Sequence, residues 1–333
     1  MRASLIGVFA GLAVSCGGGS SRPSTPVTPT TPVAQTWTLS GRVTDVVSGA
    51  GVTNATLTID GRAVTTDGTG AWRLEGQGTS ASRLAATIEA AEFVRRETGI
   101  AWQPGGRSDI TLELMPDRAP FSLAFYRQLV RNGLEAPSSL EPLRRWSTNP
   151  SFYVNTFNPK TGRPLEPAEV SLVAQALRES VPQITGGRFV TAAVETGETD
   201  REARRDWINL SFIYDPKGEF CGQAFVGANP GRITMNYDRC ATDCGSLKVA
   251  PETIVHEVGH AMGFWHTAGS AVMNTFRTRR CNNLQYSEQE RVHARVAYSR
   301  VQGNLDPDRD PASFAALTEA GPAPLIACPA GSR

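Results

Sequence analysis

Three of the four histidines in the chain lie in the segment HEVGHAMGFWH, from His256 to His266. In an α-helix, side chains four residues apart project from one face, ~6 Å apart along the axis. We therefore predict a helix from about Pro251 to Met262, on which the imidazoles of His256 and His260 converge on a metal ion. Zinc takes histidine nitrogens in a roughly tetrahedral shell, so a third ligand must come from elsewhere.

The residues after this helix can supply the third ligand. Glycine adopts positive φ and can end a helix in an abrupt turn, and Gly263 stands at the expected end. We expect the chain to double back through Phe264 and Trp265, so that His266 reaches the same ion. Three neutral imidazoles leave one zinc position open for water, which separates a catalytic zinc site from a structural one.

Glu257 is the remaining polar residue of the helical motif. A carboxylate beside a zinc-bound water can take a proton from that water as hydroxide attacks a carbonyl, and can then pass the proton to the leaving amine. These residues predict zinc-dependent hydrolysis of peptide bonds, with Glu257 as general base. The fourth histidine, His293, has no such neighbours, and we predict a surface or helix-packing role for it.

The histidine segment matches the pattern HExxHxxGxxH, and in this the chain resembles the metzincin zinc metalloproteases. The segment SAVMNT, 270–275, resembles the Met-turn of that family, with Met273 as the matching residue, and its short distance from His266 is most similar to the matrixin branch. The resemblance implies one catalytic Zn²⁺ and cleavage of protein or peptide substrates. It also implies a twisted mixed sheet, an active-site helix below it and a C-terminal helix.

The family resemblance also bears on substrate and latency. In metzincins the segment after the Met-turn walls the pocket for the residue that follows the cut bond, and here it carries Arg277, Arg279 and Arg280. A cationic wall predicts acidic residues at that substrate position; the alternative is that these arginines point to solvent. No PRCGxPD-like motif precedes the domain, so matrixin latency cannot be carried over. The segment GRITMNYD is either the strand edge that pairs with extended substrate or an ordinary buried strand.

Helices and strands are mixed from residue 117 to 311, the predicted metalloprotease domain. FSLAFYRQLVRNG and PLEPAEVSLVAQALRESV have apolar residues at helical spacing, whereas GRFVTAAVE, DWINLSFIY and GRITMNYD are strand-like. Ser287 and Glu290 form a capping box that predicts the start of a last helix. This order predicts an α+β fold with a mixed sheet packed on helices, followed by a tail at 312–333.

The preceding region, 36–116, has short alternating runs separated by Gly, Asp and Thr turns, which predict a small all-β antiparallel sandwich. Asp60–Gly61 and Asp67–Gly68 predict hairpins, and SRLAATIEAAEF fits either a helix or a strand. The pattern GRVTD…TTDGTGAWRL resembles carboxypeptidase-regulatory-like sandwich domains. Because the region has no histidine, cysteine or paired acid cluster, we predict a spacer or adhesion module.

The N-terminal sequence MRASLIGVFAGLAVSC starts with a positive charge and continues with an apolar run. It predicts a secretory signal at 1–15 that is too short to span a membrane. LAVSC resembles the lipobox of bacterial lipoproteins, which implies a lipid on Cys16; an ordinary secretory signal is the alternative. The Gly-, Ser-, Thr- and Pro-rich stretch 16–35 would be an extended tether. We expect a protein anchored to the membrane of a bacterial cell envelope, with a non-catalytic metal-binding or adhesive lipoprotein as the alternative to a protease.

An exported chain can form disulfides. If Cys16 is acylated, five cysteines remain; because five is odd, either one thiol stays reduced or Cys16 is not lipidated. We predict two disulfides, with their pairing open, among Cys221, Cys240, Cys244 and Cys281. A zinc site built from Cys240 and Cys244 is the alternative, and the fifth cysteine is Cys328.

The composition is that of an ordinary globular protein, with 40% hydrophobic residues. Lys and Arg number 33 and Asp and Glu 32, for a formal net charge of +1. A nearly neutral chain gives no electrostatic reason to expect nucleic acid as a partner.

Overall fold

The computed structural model describes residues 34–78, 82–241, 247–269, 271–275, 284–312 and 323–329. Within these residues the fold is α+β, with fifteen strands and four helices, and no helix is long and apolar enough to cross a membrane. The predicted signal, Cys16, Cys244, Arg277 and Cys281 lie outside the described residues and remain predictions. The domain boundaries at 116 and 311 also remain predictions.

The region before residue 116 forms two β-sheets. One has the strand order β4–β1–β7 and the other β3–β2–β5–β6. The strands are β1 (Gln35–Asp45), β2 (Thr56–Ile59), β3 (Arg62–Thr65), β4 (Ala71–Gly78), β5 (Ser82–Glu89), β6 (Arg96–Trp102) and β7 (Arg107–Leu114). Side chains from both sheets share one apolar core, which includes Trp37, Leu39, Leu57, Ile88 and Trp102.

Some details of this β region differ from the sequence-based expectations. The strands are not all antiparallel, because β1 pairs in parallel with β7. Asp60–Gly61 joins the paired strands β2 and β3 as predicted. Asp67–Gly68 makes no hairpin, because β3 and β4 belong to different sheets; the Asp67 carboxylate instead accepts the N–H groups of Thr69 and Ala71. The ambiguous segment SRLAATIEAAEF contains strand β5.

A six-stranded sheet forms the centre of the following region, in the order β11–β8–β12–β14–β13–β15. The first four of these strands run parallel to one another, whereas β13 runs antiparallel to both β14 and β15. The strands are β8 (Ser151–Asn155), β11 (Ala193–Gly197), β12 (Trp207–Ile213), β13 (Phe220–Phe225), β14 (Gly231–Asn236) and β15 (Leu325–Pro329), and a separate pair is β9 (Phe157–Asn158) and β10 (Arg163–Pro164). The predicted mixed sheet is confirmed.

The segment GRITMN, strand β14, lies inside this sheet between β12 and β13 and is mostly buried. The interpretation of GRITMNYD as a buried strand is thus correct, and its assignment as the substrate edge is wrong. The reason is that the chain reverses after β13 and returns on the inner side of that strand. Strand β13, and not β14, therefore has the side that faces away from the parallel strands, and β15 pairs with that side.

The four helices are α1 (Leu123–Arg131), α2 (Pro167–Ile184), α3 (Pro251–Ala261) and α4 (Glu288–Tyr298). Helix α3 ends within a residue of the predicted Met262, and all its side chains are buried, as expected for a helix covered on every side. It packs against α2, β13, β14 and β15. The capping box at Ser287 and Glu290 is present at the start of α4, as predicted.

Candidate metal centre

Helix α3 places His256 and His260 on one face, with their Nε2 atoms 2.9 Å apart. The Nε2 atom of His266, which lies beyond the helix, is 3.3 Å from that of His256 and 3.2 Å from that of His260. All three side chains are at most 2% exposed. The structure thus brings together the three histidines that the sequence singled out.

The chain doubles back after α3 at Gly263, as predicted. Gly263 has φ +104°, and a Cβ there would lie 2.1 Å from the carbonyl oxygen of Arg144. Only glycine fits both the conformation and the close approach. The returning segment is then held against α1, because the N–H of Trp265 donates to the carbonyl of Leu129 at 2.7 Å. This contact carries His266 back toward the helix.

The other ring nitrogen of each histidine, Nδ1, lies against a group that can only accept a hydrogen bond. The acceptors are the carbonyl of Val272 for His256 (2.8 Å), the carbonyl of Phe264 for His260 (2.7 Å) and the carboxylate of Glu135 for His266 (2.5 Å). Each Nδ1 of a neutral ring therefore carries the proton, and each Nε2 presents its lone pair. Three lone pairs that face one another repel unless a cation lies between them.

The spacing of the three Nε2 atoms is suited to one metal ion. Ligands ~2.0–2.1 Å from a tetrahedral zinc lie about 3.4 Å apart, close to the observed separations of 2.9, 3.2 and 3.3 Å. A ring that donates through its other nitrogen is the usual form of a metal-ligating histidine. The cluster of His256, His260 and His266 can therefore hold a metal ion.

Glu135 is a site residue that the sequence did not reveal. It follows α1, more than a hundred residues before His266, and its carboxylate accepts the Nδ1–H of that ring. Such a carboxylate fixes the orientation and the tautomer of a ligating imidazole. No motif surrounds Glu135, and only the pairing of α1 with the returning segment brings it to the site.

The turn containing Met273 lies directly against α3. A Cβ on Gly259 would come within 2.4 Å of the Met273 sulfur, so the glycine between the two helical histidines makes room for this methionine. The Met273 N–H donates to the Glu290 carboxylate at 2.7 Å, which ties the turn to the start of α4. The preceding carbonyl, that of Val272, holds His256. Met273 thus packs against the helix that carries His256 and His260, and the residue before it holds the ring of His256.

Glu257 is fully buried beneath strand β13. A Cβ on Gly222 of that strand would lie 2.6 Å from the Glu257 carboxylate, so the absence of a side chain at Gly222 gives the carboxylate its place. A carboxylate oxygen of Glu257, a ring nitrogen of His256 and the sulfur of Cys328 all lie within 4.8 Å of one another. The proximity of Cys328 was not predicted.

One of the predicted disulfides is present, between Cys221 and Cys240. The alternative of a zinc site at Cys240 and Cys244 is wrong, because the Cys240 sulfur is bonded to Cys221. Cys244 and Cys281 lie outside the described residues, so a second disulfide remains a prediction.

His293 has the helix-packing role that was one of its two predicted alternatives. Its ring stacks on Phe121 with centroids 4.9 Å apart and meets Phe125 edge-on at 4.8 Å. Its Nδ1 donates to the carbonyl of Gln289 at 2.6 Å, and its Nε2 accepts the N–H of Ser122 at 2.9 Å. The Nδ1 bond lies within α4, whereas the Nε2 bond joins α4 to Ser122, the N-cap residue of α1.

Comparisons with known proteins add little to this geometry. No protein-family model matches the chain, and no curated protein matches it either. Among solved structures it is similar to the crystal structure of a DUF3823 family protein from Parabacteroides merdae, with 18% identity and a TM-score of 0.20. The similarity covers 25% of this chain and 48% of that one, so the chain spans about half of that protein. At this TM-score no conclusion on fold or function follows.

Proposed function

We propose that this protein is a zinc-dependent endopeptidase of the metzincin type. The observation that carries the proposal is the convergence of three Nε2 lone pairs beside a buried carboxylate, Glu257. The order of elements agrees with the resemblance of the sequence: a mixed sheet, a buried helix with two histidines, a third histidine after a glycine turn, a methionine turn and a further helix.

Each residue of the site has its own role in the proposed reaction. His256, His260 and His266 would hold the zinc ion, which when bound supplies Lewis acidity to polarise a peptide carbonyl and acidify a water molecule. The carboxylate of Glu257 receives the proton of the attacking water and delivers it to the leaving amine. Glu135 keeps the ring of His266 in the tautomer that leaves its Nε2 unprotonated.

Cleavage of unfolded casein by the zinc-loaded chain tests this proposal. We expect cleavage that a chelator abolishes and zinc restores. Glu257→Gln should reduce the rate by ~10²-fold or more at unchanged zinc content, since it removes a general base and leaves the histidines in place. The exposed Glu288→Gln is the matched control and should cleave like wild type. Because Cys328 lies beside the site, the same comparison is made in a Cys328→Ser background.

A non-catalytic metal-binding protein is the second candidate, and the position of Cys328 favours it. A zinc ion with four protein ligands is typical of a structural site, whereas a catalytic site keeps one position open. Zinc-loaded chains that never cleave casein, even with Cys328 replaced, would support this candidate. Chelator-sensitive cleavage that depends on Glu257 would exclude it.

A further inference from the structure

The C-terminal strand β15 lies on the outer side of β13, next to the candidate metal centre. It runs antiparallel to β13, and its register pairs Cys328 with Gly222 and Ile326 with Ala224. Just before the strand, the N–H of Val226 donates to the carbonyl of Pro324 at 2.9 Å. A segment from the end of the chain therefore occupies the edge of β13 that an extended peptide would otherwise be able to join.

The register of this pairing directs Cys328 toward the metal centre. Residues directly opposite in an antiparallel pair face the same side of the sheet, and the Gly222 side is the one that Glu257 fills. Cys328 is 1% exposed, whereas the adjacent Ala327, which points to the other side, is exposed. The Cys328 sulfur consequently lies within 4.8 Å of the ligand atoms of His256 and Glu257, although the group formed by the three histidine nitrogens does not include it. Coordination of one ion by all four residues therefore requires the sulfur to move toward His260 and His266.

The chemistry of a thiol at this place is that of a metal ligand. A thiolate binds zinc at ~2.3 Å, and cysteine with histidine is a common zinc ligand set. Because the coordinating form is the thiolate, the thiol must release its proton, here to water, when the metal binds. A thiolate in the fourth position would take the place that a water molecule needs in a catalytic site.

We propose that β15 is a self-inhibitory segment: its backbone fills the outer edge of β13, and the Cys328 thiolate is the fourth ligand of the metal held by the three histidines. The inhibitory part rests on the proposed peptidase function, whereas the ligand part does not. The segment acts as an internal peptide ligand, and it explains why a cysteine lies buried beside the histidine cluster.

Cobalt substitution tests the ligand part without any measurement of activity. We load Co²⁺ into the wild-type chain, Cys328→Ser and the matched control Ala327→Ser, and record their absorption. Wild type and Ala327→Ser should show a thiolate-to-cobalt charge-transfer band, and Cys328→Ser should lose it while it still binds cobalt. A wild-type cobalt protein without that band, or a band that survives in Cys328→Ser, would overturn the assignment. Cys328→Ala provides a second variant if the serine form does not fold.

Casein cleavage by the zinc-loaded chains tests the inhibitory part. Cys328→Ser should cleave at least about 10-fold faster than wild type and Ala327→Ser, because a weaker ligand frees the fourth position. Equal and chelator-sensitive cleavage by all three chains would overturn self-inhibition and leave the peptidase proposal standing. If no chain cleaves although the cobalt band depends on Cys328, both the peptidase function and self-inhibition are refuted, and the four-ligand site is supported.

Discussion

Two regions of this molecule bury histidine, and they use it in opposite ways. At the metal centre, three rings each donate through Nδ1 to an outer acceptor and turn their Nε2 atoms toward one another. Between α4 and α1, His293 also donates through Nδ1, but its Nε2 accepts a backbone N–H from Ser122. The first arrangement leaves lone pairs for a cation. In the second, one nitrogen bonds within α4 and the other accepts the Ser122 N–H of the neighbouring helix, so both nitrogens are used by the protein itself.

The comparison teaches that burial alone does not identify a ligand. His293 is as buried as His256, and its ring packs on two phenylalanines. What differs is the group that faces the second nitrogen. A histidine whose nitrogens both have protein partners serves packing, whereas one whose second nitrogen faces other imidazoles is prepared for a metal.

The largest expected effect on stability is that of removing His293. His293→Ala should lower the free energy of unfolding by about 2–5 kcal/mol, as for other large-to-small changes in a core, because it removes a packed ring and leaves the Ser122 N–H without its acceptor. Zinc affinity should remain that of wild type. Urea unfolding and zinc titration measure the two quantities. His293→Phe keeps the ring packing, so it should lower the free energy of unfolding by less. Loss of zinc binding in either variant would contradict the distinction between the two regions.

A smaller effect is expected at Glu135, which orients His266. Glu135→Ala should weaken zinc binding by about 10–100-fold, the usual cost of losing a carboxylate that supports a metal-ligating histidine. Glu135→Gln retains an acceptor oxygen, so its zinc affinity should lie between those of Glu135→Ala and wild type. Competition with a chelating indicator measures the affinities. If both variants bind zinc like wild type, the carboxylate at Nδ1 does not prepare His266 for the metal.

The smallest expected effect is that of His293 on the pH dependence of stability. Burial lowers the pKa of His293 below its ordinary value of 6.5, so the folded protein keeps the ring neutral while the unfolded chain takes up a proton. Stability is therefore lost as the pH falls below 6.5, because the unfolded state then binds more protons. Urea unfolding of zinc-loaded wild type and His293→Phe between pH 7 and 5 measures this. The free energy of unfolding of wild type should fall more steeply between pH 7 and 5 than that of His293→Phe. Parallel curves would show that His293 does not contribute to the pH dependence of stability.

The parts of the site that follow from sequence are those encoded by local spacing. A local conformation is specified by the four-residue separation of His256 and His260, by Gly263 and by the capping box at Ser287. Helix α3 ends just before Gly263, and α4 begins just after Ser287. Each of these inferences needs only the geometry of one helix or one turn. Met273 was instead predicted from the resemblance of SAVMNT to the Met-turn of the metzincins.

The remainder depends on pairings between distant segments. Glu135 reaches His266 only because the segment after α3 is bonded to α1. The place of β14 inside the sheet, and of β15 beyond β13, is set by strand order, which local alternation does not encode. Cys328 could be recognised as the odd cysteine, but its nearness to Glu257 follows from the register with Gly222.

The most direct test of the central claim is the zinc affinity of four single variants: His256→Ala, His260→Ala, His266→Ala and His293→Ala. The account predicts that wild type binds one zinc ion per chain and that His293→Ala binds it equally well. In each of the other three variants zinc affinity should fall further than in a variant of a residue that only orients a ligand, for which a loss of about 10–100-fold is expected. If any one of these three binds zinc as tightly as His293→Ala, the claim that three histidines converge on a single ion is contradicted.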